Sequence, residues 1–219
     1  LKRGIKMKKL NYGSFPKRIT FDTNPGICNM SCVMCDTHSP YVKNKSFKRT
    51  LPIMEFKLME IIMREGIKHG LEEIIPSTMG EPLLYKYAPN VFKLARKIGL
   101  QVNITTNGTF PKLGVKEWGK LIFPVTSDIK ISINGLTKKI NQAIMQGLDH
   151  SRQIENIRQF TKLRKQFQKE GKTKISRTIS LPSSVSSVDQ LNELIQRFNL
   201  LKNELDLYKD IEVTINIKD

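Results

Sequence analysis

Two observations in this 219-residue chain predict an α/β fold with parallel strands. First, six short apolar or β-branched stretches alternate with stretches of helical spacing, and a parallel neighbour needs such a crossover to return. Second, the residues least suited to a core stand directly after strands. In α/β barrels the ligand-binding groups collect at those C-terminal strand ends. The length suits one domain, able to bury about 70% of its unfolded surface.

In order, Ile19-Thr-Phe-Asp-Thr23 alternates apolar and polar residues and reads as the first strand, broken by Pro25-Gly26. A cysteine-rich loop follows at once. Residues 39–52 are polar and basic with two prolines and read as an exposed excursion. Met54, Leu58, Ile61 and Ile62 fall on one face of a first helix. Glu73-Ile-Ile-Pro-Ser77 is the second strand and runs into Met79-Gly80-Glu81-Pro82. Val91, Leu94, Ala95 and Ile98 mark a second helix, closed by Gly99. Strand three, Gln101 to Thr105, ends in Thr106-Asn107-Gly108-Thr109. A short helix over 115–121 leads to strand four, Asp128 to Ile133, which stops at Asn134-Gly135. A helical region over 138–169, broken near Gly147, precedes strand five at 174–180. Ser187-Val-Asp-Gln190 is a capping box for a helix with Leu191, Leu194, Ile195 and Phe198 on its apolar face. Strand six, 211–216, closes the pattern, with residues 1–18 a basic lead and 19–219 the domain.

The net charge of +17 is uneven, with eleven Lys/Arg against two Asp in residues 1–50. Such surface favours an anionic partner such as nucleic acid, although no RRM or KH signature accompanies it. Apolar runs are far short of a membrane span, and no signal-peptide core follows Leu1–Lys9. A cytoplasmic protein without a membrane partner is therefore expected. Opening on Leu rather than Met, the chain reads as a trimmed or partial product.

All three cysteines lie in Cys28-Asn29-Met30-Ser31-Cys32-Val33-Met34-Cys35. A [4Fe–4S] cluster normally takes four thiolates, so three leave one iron open to a substrate or chelating cofactor. Two alternatives use His38: a Cys3His zinc site, or a closed electron-transfer cluster. The later strand-end motifs are superfluous to a zinc finger and weigh against zinc. An odd cysteine count argues against a structural disulfide. His69 and His150 are expected on solvated surface.

The cysteine loop resembles the signature of the radical S-adenosylmethionine (SAM) enzymes, in the Cys-Asn-Leu-Arg-Cys-Val-Met-Cys form of SPASM and twitch-type members. Gly80-Glu81-Pro82 is similar to that family's Gly-Gly-Glu-Pro, with Met79 in place of the first Gly. Thr106-Asn107-Gly108-Thr109 and Ser132-Ile133-Asn134-Gly135 resemble its next two elements. The resemblance implies a partial (β/α)6 TIM-like barrel, a [4Fe–4S] cluster on Cys28, Cys32 and Cys35, and SAM on the open iron. It further implies cleavage of SAM to a 5′-deoxyadenosyl radical that takes hydrogen from a peptide, sugar, nucleoside or RNA, driven by a flavodoxin- or ferredoxin-type one-electron donor. By the same resemblance Met34 packs on adenine, Gly80 lets the backbone approach the methionine moiety, and Glu81 holds its ammonium. Thr106, Asn107, Ser132 and Asn216 are the remaining cofactor candidates, with Arg152 or Arg177 for the carboxylate. The chain departs from SPASM members in lacking auxiliary-cluster cysteines, so it is either minimal or without their extension. Cys35-Asp36-Thr37 also resembles carboxy-deazaguanine synthase, whose threonine lies near Mg²⁺. A non-catalytic, basic nucleic-acid-binding protein on the same fold is the other alternative.

Overall fold

A computed structural model describes residues 15–42, 52–77, 79–170, 176–183 and 212–217, with a few positions between 193 and 200. Most of the basic lead, residues 43–51, and the capping box with most of its helix lie outside the described residues; Ile195, from that helix's apolar face, is exposed.

The strands are β1 (Arg18–Thr20), β2 (Ser31–Cys32), β3 (Glu73–Ile75), β4 (Gln101–Thr106), β5 (Thr126–Ser132), β6 (Met145–Gln146), β7 (Ser176–Ser183) and β8 (Glu212–Ile217). The helices are α1 (Phe56–Lys68), α2 (Ala88–Ile98), α3 (Gly114–Ile122), α4 (Lys138–Ile144) and α5 (His150–Lys169). Six strands form one sheet in the order β1-β3-β4-β5-β7-β8, every pairing parallel. The parallel strands are those the alternation predicts, in the open, partial-barrel arrangement that the resemblance implies, and all strand C-termini lie at one rim.

β-branched residues build the sheet where both faces are covered: Ile74, Val102, Ile104, Ile129 and Ile131 are all buried. Helices α2, α3 and α5 close one face. Phe92 meets Trp118 edge-to-face at 6.1 Å, and Phe160 packs against Phe110 at 4.9 Å and Phe123 at 4.6 Å. The indole N–H of Trp118 donates to the Pro111 carbonyl at 2.7 Å, so its polar end is satisfied. Gly99 ends α2 in the left-handed conformation, φ 76°, which a side chain adopts only at a cost.

Helix α1 corrects the sequence reading. It begins at Phe56, leaving Met54 outside, and its buried residues are Met59, Met63 and Gly66. Leu58 and Ile61, placed on the apolar face by their spacing, are exposed. Met54 and Ile62 do pack half-buried against the core, while the fully buried stripe runs one residue on, through Met59 and Met63, because a Met-rich helix presents two overlapping apolar faces and packing selects between them. A second addition lies at the break near Gly147. There β6 pairs antiparallel with β2, Ser31 opposite Gln146 and Cys32 opposite Met145.

Candidate functional site

The cysteine loop is pinned at both ends. At its entry the Asn24 amide donates to the Glu81 carbonyl at 2.9 Å, and the Glu81 N–H donates to the Ile27 carbonyl at 2.9 Å. Gly80 lies between these contacts at φ 75°, and a Cβ there would stand 2.5 Å from the Asn24 oxygen and 2.6 Å from that of Ile27. Glycine is thus required for two loops to touch, a packing reason beside the cofactor approach that the resemblance assigns to it. At its exit the β2–β6 pairing is extended by the Val33 N–H donating to the Ile144 carbonyl at 2.9 Å. Met30, Met145 and Leu148 form a small core beneath, against which Cys28 and Cys32 pack.

Cys28, Cys32 and Cys35 are free, half-buried thiols that face one cavity of about 240 Å³. Met34, Gly80, Glu81, Thr106, Asn107 and Ser132 line the same cavity, so the motifs after β1, β3, β4 and β5 converge as expected. Met34 is 51% exposed, which excludes the ordinary role of methionine as core filler. Asn216 stands on β8 opposite Pro182, and Arg177 on β7 opposite Ile129; neither side chain is among those described. Arg152 lines a different cavity.

Glu81 is the most constrained group in the site. It is 2% exposed, and its carboxylate accepts from Thr106 Oγ1 at 2.7 Å, the Asn107 N–H at 2.8 Å and the Leu83 N–H at 3.2 Å. Burial nevertheless pushes its pKa up to about 7, the three donors offsetting only part of the desolvation. Burial likewise raises the Cys28 thiol, and raises Cys32 to about 11. Both therefore lose a proton on binding metal.

Residues that periodicity does not single out hold this rim together. The buried Gln153 amide donates to the carbonyls of Asn107 at 2.7 Å and Ser132 at 2.9 Å, tying the ends of β4 and β5. Its oxygen accepts from Asn141 at 2.9 Å, and Asn141 also takes the Asn134 N–H at 2.9 Å. The available signal was a glutamine on the core stripe of α5, one turn before Ile157. His150, expected in solvent, is instead 8% exposed with Nδ1 3.0 Å from the Asn141 amide, because α5 starts one residue after the Asp149 cap and turns the ring inward. Asn29, inside the cysteine loop, accepts from the Asn107 amide at 2.7 Å and donates to Thr109 Oγ1 at 3.0 Å.

The donor set fits an iron–sulfur cluster. Three thiols and no carboxylate ligand meet in a small, largely apolar cavity, and a cubane binds each thiolate to a different iron. Among the described residues no three His, Cys, Asp or Glu side chains converge tightly enough for a single metal ion. His38 lines the cavity, but its Nε2 lies 2.8 Å from the Pro25 carbonyl and donates to it. That bond commits Nε2 as a donor, so of the two ring nitrogens only Nδ1 keeps a lone pair for the zinc or fourth-ligand roles. Thr37 is 4% exposed and does not line the cavity.

A parallel α/β half-barrel with three cysteines at its rim and one ligand position left over defines the class of cluster-bearing barrel enzymes. The family model described as Radical SAM superfamily matches residues 25–168, and the chain belongs to that superfamily. The family's cofactors are a [4Fe–4S] cluster and SAM. Among solved structures, Streptococcus suis SuiB bound to its precursor peptide SuiA is similar, at 20% identity and a TM-score of 0.63 over 92% of this chain and 39% of that one. SuiB bound to S-adenosylmethionine matches with the same identity and TM-score over 94% and 42%. The protein anSMEcpe with bound AdoMet matches at 18% identity and 0.60 over 91% and 52%. At these identities the likeness shows the fold, and the chain spans about two fifths of the length of SuiB. No curated protein matches the sequence. No helix among the described residues is long and apolar enough to cross a membrane.

Proposed function

We propose that this chain is the catalytic core of a radical SAM enzyme acting by hydrogen abstraction. The observation that carries the reading is the convergence of three free thiols with Glu81, Thr106, Asn107 and Ser132 on one cavity. Cys28, Cys32 and Cys35 would hold the cluster, which with SAM bound would supply one-electron cleavage to methionine and a 5′-deoxyadenosyl radical. Glu81 would hold the cofactor's ammonium, and that cation would draw the proton off its carboxyl. Met34, exposed at the cavity, would cover the adenine. Thr106 orients Glu81, while Gln153 fixes the spacing of the strand ends that carry Asn107 and Ser132. The apolar wall of Met30, Met79 and Met145 keeps water from the reacting atoms.

For the substrate, peptides come first. SuiB, which shares this fold, is seen with a precursor peptide. The carboxy-deazaguanine-synthase-like reading, suggested by Cys35-Asp36-Thr37, comes second; Thr37 is buried and does not line the cavity. Anaerobic reconstitution tests the reading. The expected product is a brown protein with about four irons per chain, which with dithionite and SAM releases 5′-deoxyadenosine and methionine. A colourless, zinc-loaded protein inert to SAM would overturn it.

A further inference from the structure

Behind the cysteine loop, on the side away from the cofactor cavity, lies a larger cleft of about 500 Å³. Its inner wall is Asn29 and Met30, and Met30 lines both cavities. The cleft runs between the loop before α3 and the start of α5, and a second hollow of about 270 Å³ continues it along the same two helices. On α5 the lining residues Asp149, Arg152, Asn156, Gln159, Leu163 and Gln166 are spaced by three and four, which is one helix face.

That groove is basic. Lys112 and Arg152 stand on the cleft, Lys116 and Lys162 on its continuation, and all four are exposed. Lys112 donates to the Leu84 carbonyl at 3.3 Å, while the Lys116, Lys162 and Arg152 side chains have no ion-pair partner among the described residues. The single acid on the groove, Asp149, spends Oδ1 on capping α5, accepting from the Arg152 N–H at 3.1 Å. Nearby Glu117 and Glu155 are engaged by Lys120 and Arg158.

We infer that this groove is the docking surface for an acidic, flavodoxin-type one-electron donor, seated against the back of the cysteine loop. The inference rests on the radical SAM reading above. Four cations with one occupied acid give the electrostatic complementarity that steers an acidic partner. Asn29 and Met30 of the cysteine loop line the cleft, so a donor seated there would abut the loop that carries the thiols without entering the cofactor cavity. In the step itself the donor's anionic flavin hydroquinone loses one electron and becomes the neutral semiquinone. The electron goes to the cluster, and no proton has to move.

The test uses the full chain and a purified bacterial flavodoxin. The Lys116→Glu/Lys162→Glu double variant is compared with wild type and with Lys57→Glu/Lys68→Glu, an equal change of net charge on α1. Titration calorimetry with oxidised flavodoxin should show binding at least about tenfold weaker for the groove variant, with a shallower salt dependence, and little change for the α1 variant. Flavodoxin-driven 5′-deoxyadenosine formation should fall in parallel, while dithionite-driven formation stays at the wild-type rate. Equal flavodoxin affinity in all three proteins overturns the inference. So does loss of single-stranded RNA binding in the groove variant with flavodoxin binding unchanged, which would make the groove a nucleic-acid surface. Failure of wild type to cleave SAM with dithionite would instead sink the enzyme reading itself.

Discussion

The two sides of the cysteine loop are built differently. The inner side is small, mostly apolar and carries one buried carboxylate held by three donors. The outer side is a larger polar cleft edged by exposed cations. One eight-residue loop separates them, and Met30 belongs to both. The difference teaches that the loop is a partition as well as the carrier of the three thiols. Desolvated groups face the side where charge is neutralised on ligand binding, and hydrated charges face the side open to solvent.

The comparison is broken most severely at the partition itself. Cys32→Ala should abolish SAM cleavage, a loss beyond about a thousandfold because no other thiol can hold that iron, while circular dichroism stays that of the folded chain. Next in size is Trp118→Ala, which empties part of the main core, apart from the small cluster under the cysteine loop. It should cost about 3–5 kcal/mol in denaturant unfolding, with iron content per folded molecule unchanged. The inner side is sharpened by pH. Glu81, raised from 4.5 to about 7, favours the folded apoprotein fully below pH 4.5, and that contribution is lost as pH rises through 7. The cost should be about 3 kcal/mol, and Glu81→Gln should flatten this slope in a series of melting curves. Smallest is Asn29→Ala, which removes the tie from the loop to Asn107 and Thr109. About 1–2 kcal/mol of weakened SAM binding is expected, seen by calorimetry on the reconstituted protein.

Much of this was legible in the sequence because motif and strand end coincide. The three cysteines, Gly80-Glu81, Thr106-Asn107 and Ser132 could be placed at one rim from alternation alone, and they share one cavity. Helix α1 was misread because Met and Ile at neighbouring positions satisfy two helical faces equally, and only the partner surface of α2 decides between them. His150, Asn141 and Gln153 were missed for a different reason. A buried polar network is stabilised by long-range partners, here from β4, β5 and α4, and no local pattern marks it. The basic groove was visible only as net charge, since the stripe on α5 has meaning once α3 lies beside it.

The pairing of Ser31–Cys32 with Met145–Gln146 is only two residues long, while the large sheet holds itself together through six strands without calling on any cysteine. Metal insertion should thereby be separable from the main folding event. A chain that lost its iron should then keep its large sheet, with the short ladder and the Asn29 amide still holding the cysteine loop in place for refilling.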